Sequence, residues 1–114
     1  MEITQDYITK TYGYNLDRTI QEIKDSGYRF DSTCQGSVPE SIIAFLEGDD
    51  FDEVIRLAIY LGGDADTQAA IAGSIASAYW EVPNRIAFKA IHRLDYELLN
   101  VLIDFDEKFI KDSF

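Results

Sequence analysis

The chain is poor in cysteine, in histidine and in basic residues, with one Cys, one His and 10 Lys plus Arg among 114 positions. Each scarcity excludes something. The lone Cys34 cannot form a disulfide within the chain and fits a reducing cytoplasm, which is the expected location. Against the 10 basic residues stand 21 acidic ones, giving a net charge of −11. Such a surface repels phosphates and anionic lipid, so neither nucleic acid nor a membrane is expected as a partner. It can attract cations, although solubility alone accounts for an acidic surface. The longest apolar run falls far short of the roughly 20 residues that a membrane span needs. The opening "MEITQDYITK" is too polar for a signal peptide. There is no internal repeat, low-complexity segment or linker, and the length suits one ordinary domain. No segment alternates apolar and polar residues between hairpin turns, which argues against strands.

What is present is helical spacing. With 46% hydrophobic residues, 13% of the chain being aromatic, a real core can be buried. Asn15 is placed to cap a helix carrying Leu16, Ile20 and Ile23, with Gly27 just past its end. "GYRFDSTCQG" has no helical period and is expected to be an extended loop. Ser37 and Glu40 have capping-box spacing with Pro39 in the first turn, predicting a helix that buries Val38, Ile42, Phe45 and Leu46 and stops at Gly48. Asp50 then caps a helix with Val54, Ile55, Ala58 and Ile59 facing inward, ended by Gly62 and Gly63. Asp64 or Asp66 starts the next helix, and Pro83 breaks it. A short helix over Ile86 to Ile91 follows, then one from about Asp95 with Leu98, Leu102, Phe105 and Phe109 along one face. The acidic residues Asp104, Asp106 and Glu107 would form that helix's solvated side. The fold class expected is all-α, a compact helical bundle.

The stretch "LGGDADTQAAIAGSIASAYW", Leu61 to Trp80, carries the chemistry. One aspartate suffices to cap a helix and meet its dipole. A second carboxylate and a hydroxyl call for another reason. Asp64, Asp66 and Thr67 could present three hard oxygens to Mg²⁺, Mn²⁺ or Ca²⁺, and spacing alone leaves capping and a metal site both open. An EF-hand beginning at Asp64 is excluded, because its last position would be Ile75 and its glycine position holds Ala69. A phosphatase-type Asp-x-Asp needs a preceding strand, whereas Val54 to Leu61 has helical spacing. Ala69, Ala70, Ala72, Gly73, Ala76 and Ser77 clothe the helix that follows in minimal side chains. Neighbouring helices can then approach closely, so this helix is expected at the centre of the bundle and as its most buried element. Leucine at Gly73 or Ala76 would overpack it.

These residues resemble the closing signature of the ADP-ribosylglycohydrolases, including the dinitrogenase reductase-activating glycohydrolases: Gly-Gly-Asp-x-Asp-Thr followed by a small-residue helix. The upstream "CQGSVPESIIAFLEGDDFDEVIRLAIYLGG" is similar to the family's preceding helix pair, and the resemblance covers about Tyr28 to Pro83. It implies an all-helical hydrolase that cleaves the glycosidic bond between ADP-ribose and a protein side chain or related acceptor. It also implies a two-metal site, usually Mg²⁺, to which Asp64, Asp66 and Thr67 contribute. Family members are longer. Their other ligands come from a hydroxyl residue followed by two aspartates, and no such run occurs here; "GDD" at Gly48 to Asp50 has glycine in the first place. The chain therefore resembles the C-terminal third of such an enzyme, as a cloned fragment, a split gene product or a degenerate copy. It is expected to be inactive alone, and to form a homo-oligomer or join a missing N-terminal part.

Other candidates are weaker. Cys34 as a nucleophile would need a base, and His92 is the sole histidine, expected on the surface near a helix end. Tyr28, Phe30, Tyr79 and Trp80 could stack on adenine, with the core as their ordinary place. The rival class is a non-catalytic helical interaction module that keeps the motif as helix capping. A metal-dependent phosphohydrolase is a third.

Overall fold

Apolar spacing and capping side chains turn most of the described residues into helix. The computed structural model describes residues 2–110. They form α1 (Glu2–Tyr12), α2 (Ile20–Asp25), α3 (Cys34–Glu47), α4 (Phe51–Tyr60), α5 (Ala65–Tyr79), α6 (Asn84–Ile91) and α7 (Tyr96–Phe105), with a π-helical turn at Asp106–Ile110. Among the described residues there is no strand, as expected for an all-α protein.

Two helix starts differ from those that spacing suggested. The cap of α2 is Thr19, whose Oγ1 accepts from Glu22 N at 3.1 Å. Asn15 instead closes a turn in the preceding loop, its Oδ1 accepting from Asp17 N at 3.1 Å. The cap of α3 is Thr33 rather than Ser37, with Oγ1 accepting from Gly36 N at 3.1 Å. Asp31 explains the earlier start. Its Oδ1 accepts from both Thr33 N at 2.9 Å and Thr33 Oγ1 at 2.6 Å. Its carboxyl fills the space over Gly36, where a Cβ would come within 2.0 Å. Ser37 is thereby internal to the helix and buried, its Oγ donating to Thr33 O at 2.6 Å. Pro39 lies inside the helix too. The start of α4 is as spacing predicted: Asp50 Oδ1 accepts from Glu53 N at 2.8 Å, and Glu53 Oε2 accepts from Asp49 N at 3.1 Å. Helix α1, which spacing did not anticipate, buries none of its residues.

The chain divides into two compact units, Met1–Glu81 and Val82–Phe114. In the first, α3, α4 and α5 pack on one another and α2 packs on α3. Ile20, Ile23, Ile43, Val54, Ala58, Leu61, Ala72 and Ala76 form the core. The small side chains of α5 do bring it close to α4: a Cβ at Gly73 would stand 2.9 Å from Ile55 Cδ1. The most buried helix, however, is α3 and not α5. Helix α3 buries Ser37, Pro39, Glu40, Ser41, Ile43, Ala44 and Phe45, whereas α5 buries Gln68, Ala72 and Ala76. The reason is position, since α3 is covered by α2 as well as by α4 and α5. Two aromatics assigned to the core are on the surface, Phe30 at 69% exposure and Tyr79 at 63%. Tyr79 stands edge-on to Trp80, ring centroids 4.8 Å apart, and both flank Phe45.

In the second unit, α7 is capped by Asp95, whose Oδ1 accepts from Leu98 N at 2.9 Å. Neither α6 nor α7 has a buried residue, and Leu98, Leu102, Phe105 and Phe109 are all exposed.

Candidate functional site

Helix α4 gives way to α5 through Leu61, Gly62 and Gly63. Gly62 (φ +77°) and Gly63 (φ +71°) are both left-handed, a conformation that glycine adopts without a Cβ clash. Gly63 also has no room for a side chain: a Cβ would lie 2.8 Å from Tyr28 Cε2, 3.1 Å from Arg29 O and 3.1 Å from Gln68 Oε1. The turn delivers Asp64 at the N-cap of α5, with φ −83° and ψ 68°. Its main-chain carbonyl accepts the first helical bond, from Gln68 N at 2.9 Å. Its carboxylate makes no cap bond.

Asp66 lies in the first turn of α5, its Oδ1 accepting from Thr67 N at 2.9 Å. The Asp64 side chain beside it, followed by the Thr67 amide, holds the Asp66 pKa below the ordinary carboxylate value. The structure therefore brings the two carboxyls together. Asp64 is half-buried, and Asp66 and Thr67 are exposed.

The family model for ADP-ribosylglycohydrolase matches residues 2–111. The chain belongs to the ADP-ribosylglycohydrolase family. No curated protein and no solved structure matches it significantly.

In this ADP-ribosylglycohydrolase-family chain, Gln68 is the site residue that the sequence did not single out. It is 0% exposed. Its Nε2 donates to Ala58 O at 3.2 Å and Gly62 O at 3.0 Å, and its Oε1 faces the Tyr28 hydroxyl at 3.0 Å. A signal existed: Gln68 is the one long polar side chain in register with Ala72 and Ala76, the inward residues of α5. The Tyr28 hydroxyl also lies against Gly36 O. Its pKa is pushed up to about 12, first by burial and then by the charges of Glu40, Asp31 and Asp64, with Arg18 opposing. Tyr28 is therefore a protonated donor at neutral pH. Glu40, 4% exposed, pairs through Oε2 with Arg18 Nη2 at 2.9 Å, while its Oε1 is buried without a hydrogen-bond partner among the described residues.

Among the described residues, no three His, Cys, Asp or Glu side chains are grouped so as to hold a metal ion. The acidic donors at this helix start are the pair Asp64 and Asp66, with the Thr67 hydroxyl as the third candidate oxygen. Cys34 is exposed at the first position of α3. His92 is exposed at the end of α6, its Nδ1 2.8 Å from Phe88 O, which is the surface position expected of it. No helix among the described residues is long and apolar enough to cross a membrane.

Proposed function

We propose that Asp64, Asp66 and Thr67 are the divalent-metal ligands of a hydrolase acting on the glycosidic bond between ADP-ribose and a modified protein side chain or related acceptor. The observation that carries this is the Asp64 carboxylate. It occupies a capping position, makes no cap bond, and instead lies against the carboxyl of Asp66. Two carboxyls so close favour a proton or a cation between them. Their hard oxygens, with the Thr67 hydroxyl, suit Mg²⁺ or Mn²⁺. Bound there, such an ion supplies Lewis-acid polarisation of a substrate hydroxyl or water. The chain's own part is to orient the carboxylates: the helix start fixes Asp66 through Thr67 N, and the glycine turn aims Asp64.

A hard cation takes about six oxygens, and this helix start offers three. Binding by the chain is accordingly weak, a dinuclear centre needs ligands from elsewhere, and the chain alone does not turn over substrate. The exposed apolar side chains of α7 suit association with a second copy or with another part of the enzyme. A non-catalytic interaction module is the alternative, and it has no use for a carboxylate at the capping position that makes no cap bond.

Mn²⁺ titration followed by electron paramagnetic resonance tests the assignment. The wild-type chain should bind weakly, and the double variant Asp64→Asn, Asp66→Asn should not bind. Equal binding by the two would remove the ligand assignment. Turnover of ADP-ribosyl-arginine or ADP-ribosyl-serine by the purified chain would overturn the claim that it is incomplete.

A further inference from the structure

We infer that Gln68 and Tyr28 are positioning residues for Asp64, Asp66 and Thr67, Gln68 by tying the end of α4 to the start of α5 and Tyr28 by packing its ring over Gly63 with its hydroxyl against Gln68 Oε1. The inference rests on the ligand assignment proposed above.

The need for such a device follows from the turn. Gly62 and Gly63 leave the backbone ahead of Asp64 with the fewest intrinsic restraints of any residue type. The usual anchor of a helix start, a side chain from the capping residue, is missing. Something else must fix where the carboxylates point, and Gln68 adjoins Thr67 on the buried side of the same helical turn.

The bonds of Gln68 are those that would do it. At the end of α4, Gly62 N turns to Ile59 O at 3.0 Å, which leaves the Ala58 carbonyl without its helical donor. Gln68 Nε2 supplies that donor and a second one to Gly62 O, inside the glycine turn. One amide therefore holds the last turn of α4, the glycine turn and the first turn of α5 in a single register. With both Nε2 hydrogens committed to carbonyls, Oε1 is left facing the Tyr28 hydroxyl at 3.0 Å, whose single proton it shares with the nearer Gly36 O. A flipped amide would set Oε1 against two carbonyl oxygens, so the Ala58 and Gly62 carbonyls select one orientation. Tyr28 acts a second time through its ring, which occupies the space over Gly63. Gln68 and its bond to Ala58 O are buried, and loss of that bond leaves a carbonyl that water cannot reach.

The test uses the full chain. Gln68→Met keeps the length of the side chain and removes its polar atoms; Tyr28→Phe removes one oxygen and keeps the ring. Ile43→Val is the control for lost core stability away from the turn. Mn²⁺ affinity is read well below each variant's melting temperature. Loss of a partner behind a ligand set costs about 10–100-fold in metal affinity. Gln68→Met should fall in that range, Tyr28→Phe should lose less, and Ile43→Val should match wild type. Affinities within about twofold of wild type for both variants would overturn the inference while leaving the ligand assignment standing. If the wild-type chain binds no Mn²⁺, the ligand assignment fails, and the amide resonances of Gly63, Asp64 and Thr67 in the metal-free chain then decide. Their displacement or doubling in Gln68→Met and Tyr28→Phe, but not in Ile43→Val, supports positioning of the segment. Spectra unchanged from wild type would overturn it. Should Gln68→Met not fold, Tyr28→Phe carries the same two readouts.

Discussion

Helices α4 and α5 both begin at an aspartate, and the two aspartates do different work. Asp50, in extended backbone (φ −153°, ψ 176°), folds its carboxylate back onto Glu53 N and caps α4. Asp64 has φ −83° and ψ 68°, and its carboxylate leaves the α5 amides alone. The residues are chemically identical, so the difference lies in what precedes them. Gly48, ahead of Asp50, has φ −74° and ψ 143°, whereas Gly62 and Gly63 turn left-handed just before Asp64. Thr19, Thr33 and Asp95 follow the pattern of Asp50. The comparison teaches that a capping residue is spent on its own helix unless the turn before it points the side chain elsewhere, and that an unspent carboxylate is available for a ligand.

The largest expected effect comes from altering the turn. Gly63→Ala adds a left-handed Cβ 2.8 Å from Tyr28 Cε2 and 3.1 Å from Arg29 O. It should cost about 1–3 kcal/mol of stability in urea unfolding. Gly62→Ala has φ +77° but open space around the new Cβ; it should cost only the left-handed backbone penalty, about 1 kcal/mol. Equal losses would mean that the packing of Tyr28 and Arg29 on the turn does not matter.

A smaller effect addresses the two aspartates directly. Asp50→Ala removes a cap bond and should cost about 1 kcal/mol. Asp64→Ala removes none and should cost less than about half of that. Equal costs would show that Asp64 caps α5 in solution and would erase the contrast on which the metal assignment rests.

The smallest effect is a pH dependence. Folding raises the Tyr28 phenol from 10.0 to about 12, so the protonated phenol is the form that the folded chain favours. Its contribution is fully present below pH 10, the unfolded value, and is lost as pH rises towards 12. Thermal melts of wild type should fall over that interval relative to Tyr28→Phe. Parallel curves would mean that the hydroxyl is not buried among those acidic side chains in solution.

Much of this was legible in the sequence, and the misses share a cause. The all-α class, the Asp50 cap, the helix start at about Asp95, the Gly62–Gly63 stop and the exposed His92 were readable because each is a local matter of spacing and backbone preference. Asn15 and Ser37 were plausible caps displaced by neighbours: Thr19 and Thr33 lie within a few residues, and Asp31 orders Thr33 by hydrogen bonds that spacing does not reveal. The family signature marked Asp64, Asp66 and Thr67. It did not mark Gln68, whose partners Tyr28, Ala58 and Gly62 come from three other places in the chain.

By itself the sequence determined that this protein is helical, where most of its helices stop, and that two aspartates and a threonine fall within the first residues of one helix. Period, glycine and charge act over a few residues, and no tertiary contact is needed to read them. The tertiary structure alone decided that α3 and not α5 is the most buried helix, that Phe30 and Tyr79 face outward, and that the Asp64 carboxylate is left unspent. Burial depends on how many neighbours a helix has, and the use of a carboxylate depends on a turn held by Gln68 and Tyr28. Those are contacts between residues up to 40 positions apart, and local sequence carries no information about which of them will meet.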